Sequence, residues 1–410
     1  MLVKSQININ SLVLFTCFVL LCFSWTNFFY VTPLIIPLSF IFLQPYLSLK
    51  ISRVQLLTTV FFLYSLFSLS LISVHSLFEF NFYRRDGNIF ISLMPLITLT
   101  FFNFNFDSYK FISRFIYFLT LINLIVYSYF SFNGNLFESS NLYYLGFTSH
   151  NAAGGFLAIL TSFALITFLY KRTYINFFIF AFNFFTIFES GSRGSYLALI
   201  AGIFLFFLLK RKLYKFFVTS VAILFIIQIS VIAWGYDQHH KYWLQNDFYG
   251  MDVVELPVRN SNNLSHRVIK VWPWAVDDFL ESPLMGTGFS SFNDRYKDPS
   301  EVLPGIKLRF LKKNIYDSGH AHHSFLNIMA EQGLVGLIIF IFLIFYLFSS
   351  MTKLRNFDKD LLTFPLIILI LMSLTEHRFA APSQAFIYFV IYSLVIKNSS
   401  SFLTSKDKVI

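Results

Sequence analysis

The chain has 410 residues, 56% of them hydrophobic and only 13% charged, with a mean hydropathy of +0.64. A water-soluble domain of this length does not carry so little charge, so composition defines a polytopic membrane protein. The formal net charge of +10 does not point to nucleic acid, because residues 235–322 hold ten Lys and Arg against eleven Asp and Glu and the basic excess lies elsewhere, in turns between apolar runs.

Apolar runs fall near residues 9–28, 31–49, 54–74, 88–106, 111–132, 150–169, 174–190, 194–209, 214–234, 323–349, 360–375 and 381–396. The twenty-residue rule reads them as about twelve transmembrane helices of an all-α fold. Cys17 and Cys22 both lie in the first run and form no disulfide framework. Bulky Trp25, Phe28 and Phe29 stand at its end in place of a small-residue cleavage site, so it is taken as a span. Lys50 and Arg53, Lys110 and Arg114, Lys171 and Arg172, Lys210 to Lys215, and Lys353 to Lys359 sort to one side with Lys4 and Lys397. The positive-inside rule makes that side the cytoplasm and puts both termini there. Arg84 and Arg85 fall on the other side, beside Glu79 and Asp86.

The outer side receives the loop around residues 133–149, the turns at 189–193 and 376–378, and one long polar loop, residues 235–322. The chain thus divides into nine helices over 1–234, the loop, and three helices with a tail over 323–410, forming one membrane domain. Part of the loop reads as helix. Ser265 is placed to cap a segment bearing Arg267, Val268, Val271 and Trp272, with Pro283, Gly286 and Gly288 ending it. Pro273 is expected to kink or restart this helix.

The stretch 319–333 brings the long loop back into the membrane. On a helix, His323, Asn327 and Glu331 are spaced i, i+4, i+8 and share one face, and such a polar stripe at a membrane mouth needs a use or a partner. Imidazole takes a proton near neutral pH, so His323 suits a general base on a sugar hydroxyl. The plainer reading is a helix-start histidine bonded to backbone. Arg193, in Ser190-Gly191-Ser192-Arg193-Gly194-Ser195 at the outer start of a span, suits a phosphate grip or a snorkelling side chain. Arg267 suits the same grip or a solvated position. His150, Asn151, Glu331 and Arg378 are further outer-side candidates. His320, His322 and His323 cluster, which leaves a metal reading open, but i and i+2 do not share a helix face and Asp317 is the close carboxylate upstream, so a metal site is the lesser reading. Gly286-Thr287-Gly288 has no preceding strand and is not a dinucleotide motif. The basic run Lys307, Arg309, Lys312 and Lys313 reads as solvated or headgroup-binding.

The order of these motifs resembles the O-antigen ligase and O-antigen polymerase family of bacterial cell envelopes. Ser192-Arg193-Gly194 comes first, then Arg267-Val268-Ile269-Lys270-Val271-Trp272 and Ser282-Pro283-Leu284-Met285-Gly286-Thr287-Gly288-Phe289, and last His323-Ser324-Phe325-Leu326-Asn327 with Glu331, Gly333 and Gly336. The resemblance implies a GT-C-type glycosyltransferase of the inner membrane, working at the periplasmic face, metal-independent and inverting, with no cofactor. Its donor would be a glycan on undecaprenyl diphosphate and its acceptor lipid A-core, giving lipopolysaccharide. In the polymerase branch the acceptor is another lipid-linked repeat. Carried over, Arg193 and Arg267 would bind the diphosphate and stabilise it as leaving group, and His323 would be the base. Arg378, Asn327, Glu331, His150 and Asn151 would line the substrate site. A secondary transporter also fits twelve spans, but it would place polar residues at the midplane on repeated, broken helices.

Overall fold

The computed structural model describes residues 51–70, 88–102, 106–133, 142–143, 145–147, 149–245, 267–294 and 320–406. The described residues are almost wholly helical: α1 (Arg53–Ser70), α2 (Asn88–Thr98), α3 (Ser108–Asn133), α4 (His150–Tyr170), α5 (Tyr174–Glu189), α6 (Arg193–Lys210), α7 (Tyr214–Gln245), α8 (Trp272–Glu281), α9 (Ser324–Met351), α10 (Asn356–Met372) and α11 (Ala385–Lys406). Each apolar run from residue 54 onward overlaps one of these helices. The runs at 9–28 and 31–49 lie outside the described residues, as do Arg84 and Arg85, Ser265 and the basic run at 307–313.

Among the described residues six helices are long and apolar enough to cross a membrane: α1, α3, α4, α6, α7 and α9. Shorter apolar helices cover Asn88–Phe101, Tyr174–Glu189 and Ala385–Asn398. A helix is what these sequences must form in lipid, because it satisfies every backbone group internally. Side-chain caps set the starts. Ser149 Oγ accepts from Ala152 N at 3.1 Å to open α4, and Thr173 Oγ1 from Asn176 N at 3.2 Å to open α5.

The centre of the bundle is α4, buried from Ala153 to Thr167, with α5, α6 and α10 against it. Helix α9 packs on α1 and on α8, and α11 on α2. The apolar stretch of α7 has no residue buried among the described ones, so this helix presents apolar surface outward.

Helix α9 is broken at Gly333, whose φ of 62° and ψ of −163° are non-helical. The break is not left unsatisfied. The segment after α8 lies against it, with Thr287 N donating to Ala330 O (3.0 Å), Gly288 N to Glu331 O (2.8 Å), Leu334 N to Pro283 O (2.9 Å) and Val335 N to Leu284 O (3.2 Å). Irregular backbone at membrane depth is tolerated where protein supplies its bonds in this way. A Cβ at Gly333 would meet the Leu284 carbonyl at 2.4 Å, and one at Gly286 (φ 75°) would meet Gln332 N at 2.3 Å. Both glycines thus combine a left-handed backbone with contact too close for a side chain.

Helix ends separate by charge. At one end Lys210 Nζ meets Asp360 Oδ2 at 2.6 Å, with Tyr170 OH on the same oxygen at 3.0 Å. At the other end lie the starts of α4, α6 and α9 and the turn between α10 and α11.

Candidate functional site

The site grows from how the chain re-enters at α9. His323 is the cap: its backbone is extended, and its Nδ1 accepts from Leu326 N at 3.1 Å. This bond fixes the neutral ring with its proton on Nε2. Nε2 is buried and has no hydrogen-bond partner among the described residues. Trp272 stands edge-on to the ring at 5.5 Å and 90°. The deep burial, with the charge of His377 added, lowers the His323 pKa to about 3, against a slight opposing effect of its own backbone hydrogen bond.

One residue earlier, His322 has φ 49°, a left-handed conformation rare outside glycine. It turns the ring toward the turn after α10, where Nδ1 lies 2.9 Å from Glu376 Oε2. The other carboxylate oxygen, Oε1, takes Arg267 Nη2 at 2.5 Å and Asn151 Nδ2 at 3.3 Å. Arg267 also donates through Nη1 to Thr375 O at 2.6 Å. Burial would raise the Glu376 pKa, but the His322 hydrogen bond and the charges of His322, Arg378 and Arg267 outweigh it and hold the carboxyl well below the usual range.

Arg378, two residues on, is buried within the field of this carboxylate. Its Nη1 donates to Asn151 O (2.8 Å) and to Gln384 Oε1 (3.2 Å). Burial pulls its pKa down, Glu376 opposes this and Arg267 adds to it. His377 Nδ1 meets Ser324 Oγ at 3.1 Å, and burial, then the charge of His322, lowers His377 to about 4 against Glu376. Two arginines, one carboxylate and several imidazoles thus gather in one mostly buried cluster, with four chain segments contributing.

Of the residues singled out from sequence, Arg267, Asn151 and Arg378 are gathered around Glu376. His150 opens α4 within the field of Glu376, Arg378 and Arg267. Arg193 is the exposed first residue of α6 and has no hydrogen bond or ion pair among the described residues. Its neighbour Gly194 lies against Thr375, so Arg193 stands at the rim of the same turn. Asn327 is turned to the loop instead: its Oδ1 accepts from Ala321 N at 2.9 Å and braces the re-entry. Glu331 is buried beside the α9 break, where its carbonyl takes Gly288 N. The single stripe expected for His323, Asn327 and Glu331 is therefore shared among three tasks.

The loop helix matches its sequence pattern with one refinement. Residues Arg267–Val271 form a π-helical turn, and Pro273 sits in the first turn of α8, where a missing N–H costs nothing. Its apolar face, Val268, Val271, Trp272 and Ala275, is buried with Leu326 and Ala330 of α9. That packing sets Arg267 over the α10–α11 turn. The residue that sequence reasoning missed is Glu376. Its signal was an acid flanked by His377 and Arg378 at a membrane edge, where an unpaired charge is costly. It also supplies what the histidine cluster lacked: one ligand atom each from His320, His322 and Glu376 lie within 4.8 Å of one another.

The fold and this pocket define a multi-pass helical membrane protein with a buried cationic and imidazole site at one mouth. Residues 177–341 match the family model described as O-Antigen ligase, which supports the O-antigen ligase and polymerase family named from the motifs. The match takes in Arg193, Arg267 and His323. The chain is also 26% identical over 259 residues to an uncharacterized protein of Haemophilus influenzae, covering 58% of this chain and 60% of that relative.

Proposed function

We propose that the protein is an O-antigen ligase: a GT-C-type glycosyltransferase of the inner membrane, with about twelve spans, moving a glycan from undecaprenyl diphosphate to lipid A-core at the periplasmic face. The observation that carries this reading is the buried Arg267–Glu376 pair with Arg378 in its electrostatic field, at the same mouth as His323, whose Nε2 has no partner among the described residues. The segregation of basic turns to the opposite end supports the periplasmic placement and cytoplasmic termini.

The chemistry follows from the charges. The acceptor hydroxyl oxygen attacks the anomeric carbon, the bond to the diphosphate oxygen breaks, and the carbon inverts. Charge develops on the departing diphosphate, and preorganised cations in a desolvated site stabilise it best. Arg193 is unengaged and grips the diphosphate first. Arg267 exchanges part of its hold on Glu376 for phosphate oxygens, with Glu376 keeping the guanidinium in place until then. The Arg pair supplies the charge that a metal provides in other phosphate-leaving reactions, so transfer is metal-independent on this reading.

His323 meets the substrate through Nε2. As a base, that atom must be free of its proton, which puts the ring proton on Nδ1 and costs the bond from Leu326 N. With the cap kept, Nε2–H donates to a substrate oxygen, and the acceptor proton passes late to the departing phosphate or water. The cap favours the donor role over the expected base. The test is transfer by purified protein in chelator, from undecaprenyl-diphosphate glycan, with and without lipid A-core. A shifted lipid A-core band is the expected product, lost in Arg193→Ala. Longer lipid-linked glycan without lipid A-core would make the protein a polymerase, and no product from folded protein would overturn both. His323→Gln, which donates but takes no proton, keeps measurable transfer on the donor reading and loses it on the base reading.

A further inference from the structure

We propose that His320, His322 and Glu376 form a binding site for one divalent transition-metal ion of the zinc class. Binding here stands apart from the transfer reading and is read without it. The three ligand atoms lie within 4.8 Å of one another, and bonds of about 2.0–2.2 Å to a common ion bring such atoms to roughly 3.3 Å. His322 Nδ1 and Glu376 Oε2 are already 2.9 Å apart. The ion takes the place of the hydrogen on Nδ1, and His322 binds in the neutral tautomer that carries its proton on Nε2.

The surroundings hold the ligands as an outer shell does. Glu376 is anchored through its other oxygen, Oε1, by Arg267 and Asn151, which leaves Oε2 for the ion. His320 accepts the backbone N–H of His322 on Nδ1 at 3.0 Å, so the neutral ring carries its proton on Nε2 and Nδ1 offers its lone pair to the ion in exchange for that bond. The left-handed backbone at His322 turns its ring inward, a conformation kept against a steric cost. His323 lies outside this cluster of ligand atoms and keeps its α9 cap. Two imidazoles and one carboxylate suit zinc, cobalt or nickel, and not magnesium or calcium, which require oxygen shells. Three protein ligands leave a position open to water or a small anion. The nearby Arg267 cation weakens the site, so occupancy follows metal supply.

The test uses the full chain, untagged, in detergent and stripped with chelator, titrated with Co²⁺ alone. The expected result is one equivalent of Co²⁺ with visible d–d bands, displaced by Zn²⁺. Affinity falls at least tenfold in His320→Ala and in Glu376→Gln, and stays unchanged in His240→Ala, whose histidine lies on α7 away from the pocket. Loss of the bands in His240→Ala, or their survival in both pocket variants, overturns the proposal, as does the absence of bands in the wild type. Should the pocket variants fail to fold, X-ray absorption of the wild-type zinc complex decides: two imidazoles in the shell support the site, and none or one overturns it.

Discussion

The two ends of the bundle both carry ion pairs, yet they differ in kind. At the basic end Lys210 and Asp360 pair with side chains 36% and 15% exposed, and an exposed Arg355 reaches the buried Asp358 three residues along. At the other end Arg267 and Glu376 pair with side chains 7% and 12% exposed, across 109 positions of chain, and share the carboxylate with His322 and Asn151. Exposed pairs gain little because water screens them and two long side chains must be ordered. A buried pair costs desolvation to make and much more to break, because the surviving partner stays charged without water. The basic end is therefore topological, while the outer end is a pocket whose charges are interdependent.

The sharpest way to break that comparison is Glu376→Ala. It leaves the buried Arg267 without its carboxylate, and the expected destabilisation is about 3–5 kcal/mol. Thermal unfolding in detergent reads it, and Glu376→Gln, keeping the hydrogen-bond shape, is expected to lose less. An effect of Glu376→Ala no larger than that of a surface pair would remove the distinction.

Acid probes the same difference without mutation. His323 and His377 sit at about 3 and 4 when folded, against an ordinary value of 6.5. Between those limits the unfolded chain binds more protons, so stability falls as pH drops from about 6.5 toward 4. Glu376, depressed below its ordinary 4.5, adds a further loss only below that value. Melting in chelator is expected to shift downward steadily from pH 7 to pH 4.5, and less so in His377→Asn. A flat profile would show that these histidines are hydrated.

The smallest effect is expected for Lys210→Ala, within about 1 kcal/mol, because its pair is partly exposed. A larger loss would raise the basic end to the rank of the pocket. Salt sharpens the contrast, since about 0.5 M weakens the Lys210–Asp360 contact and leaves the buried Arg267 pair nearly untouched.

The helical runs, their apolar faces and the charge asymmetry of the turns were legible along the chain, because each depends on neighbours within a few residues. The restart at Pro273 was legible for the same reason. So were Arg267 and His323 as candidates, since a charge or imidazole at a membrane edge demands a partner. What the motif at residues 282–288 does was not legible. Pro283, Gly286 and Gly288 read as a helix stop, but they also close the α9 break at Gly333 some fifty residues away. Periodicity carries no information about which distant backbone accepts an orphaned N–H. Glu376 was hidden in the same way: sequence placed it in a short outer turn, and only the packing of α8 on α9 and of α10 on α4 brings Arg267, His322 and Asn151 to its two oxygens. Composition and local pattern determined that this chain is a bundle of membrane helices with its polar residues at one mouth. The tertiary structure decided which of those residues share a charge, because a buried carboxylate binds whatever the fold carries within 3 Å, regardless of its distance along the chain.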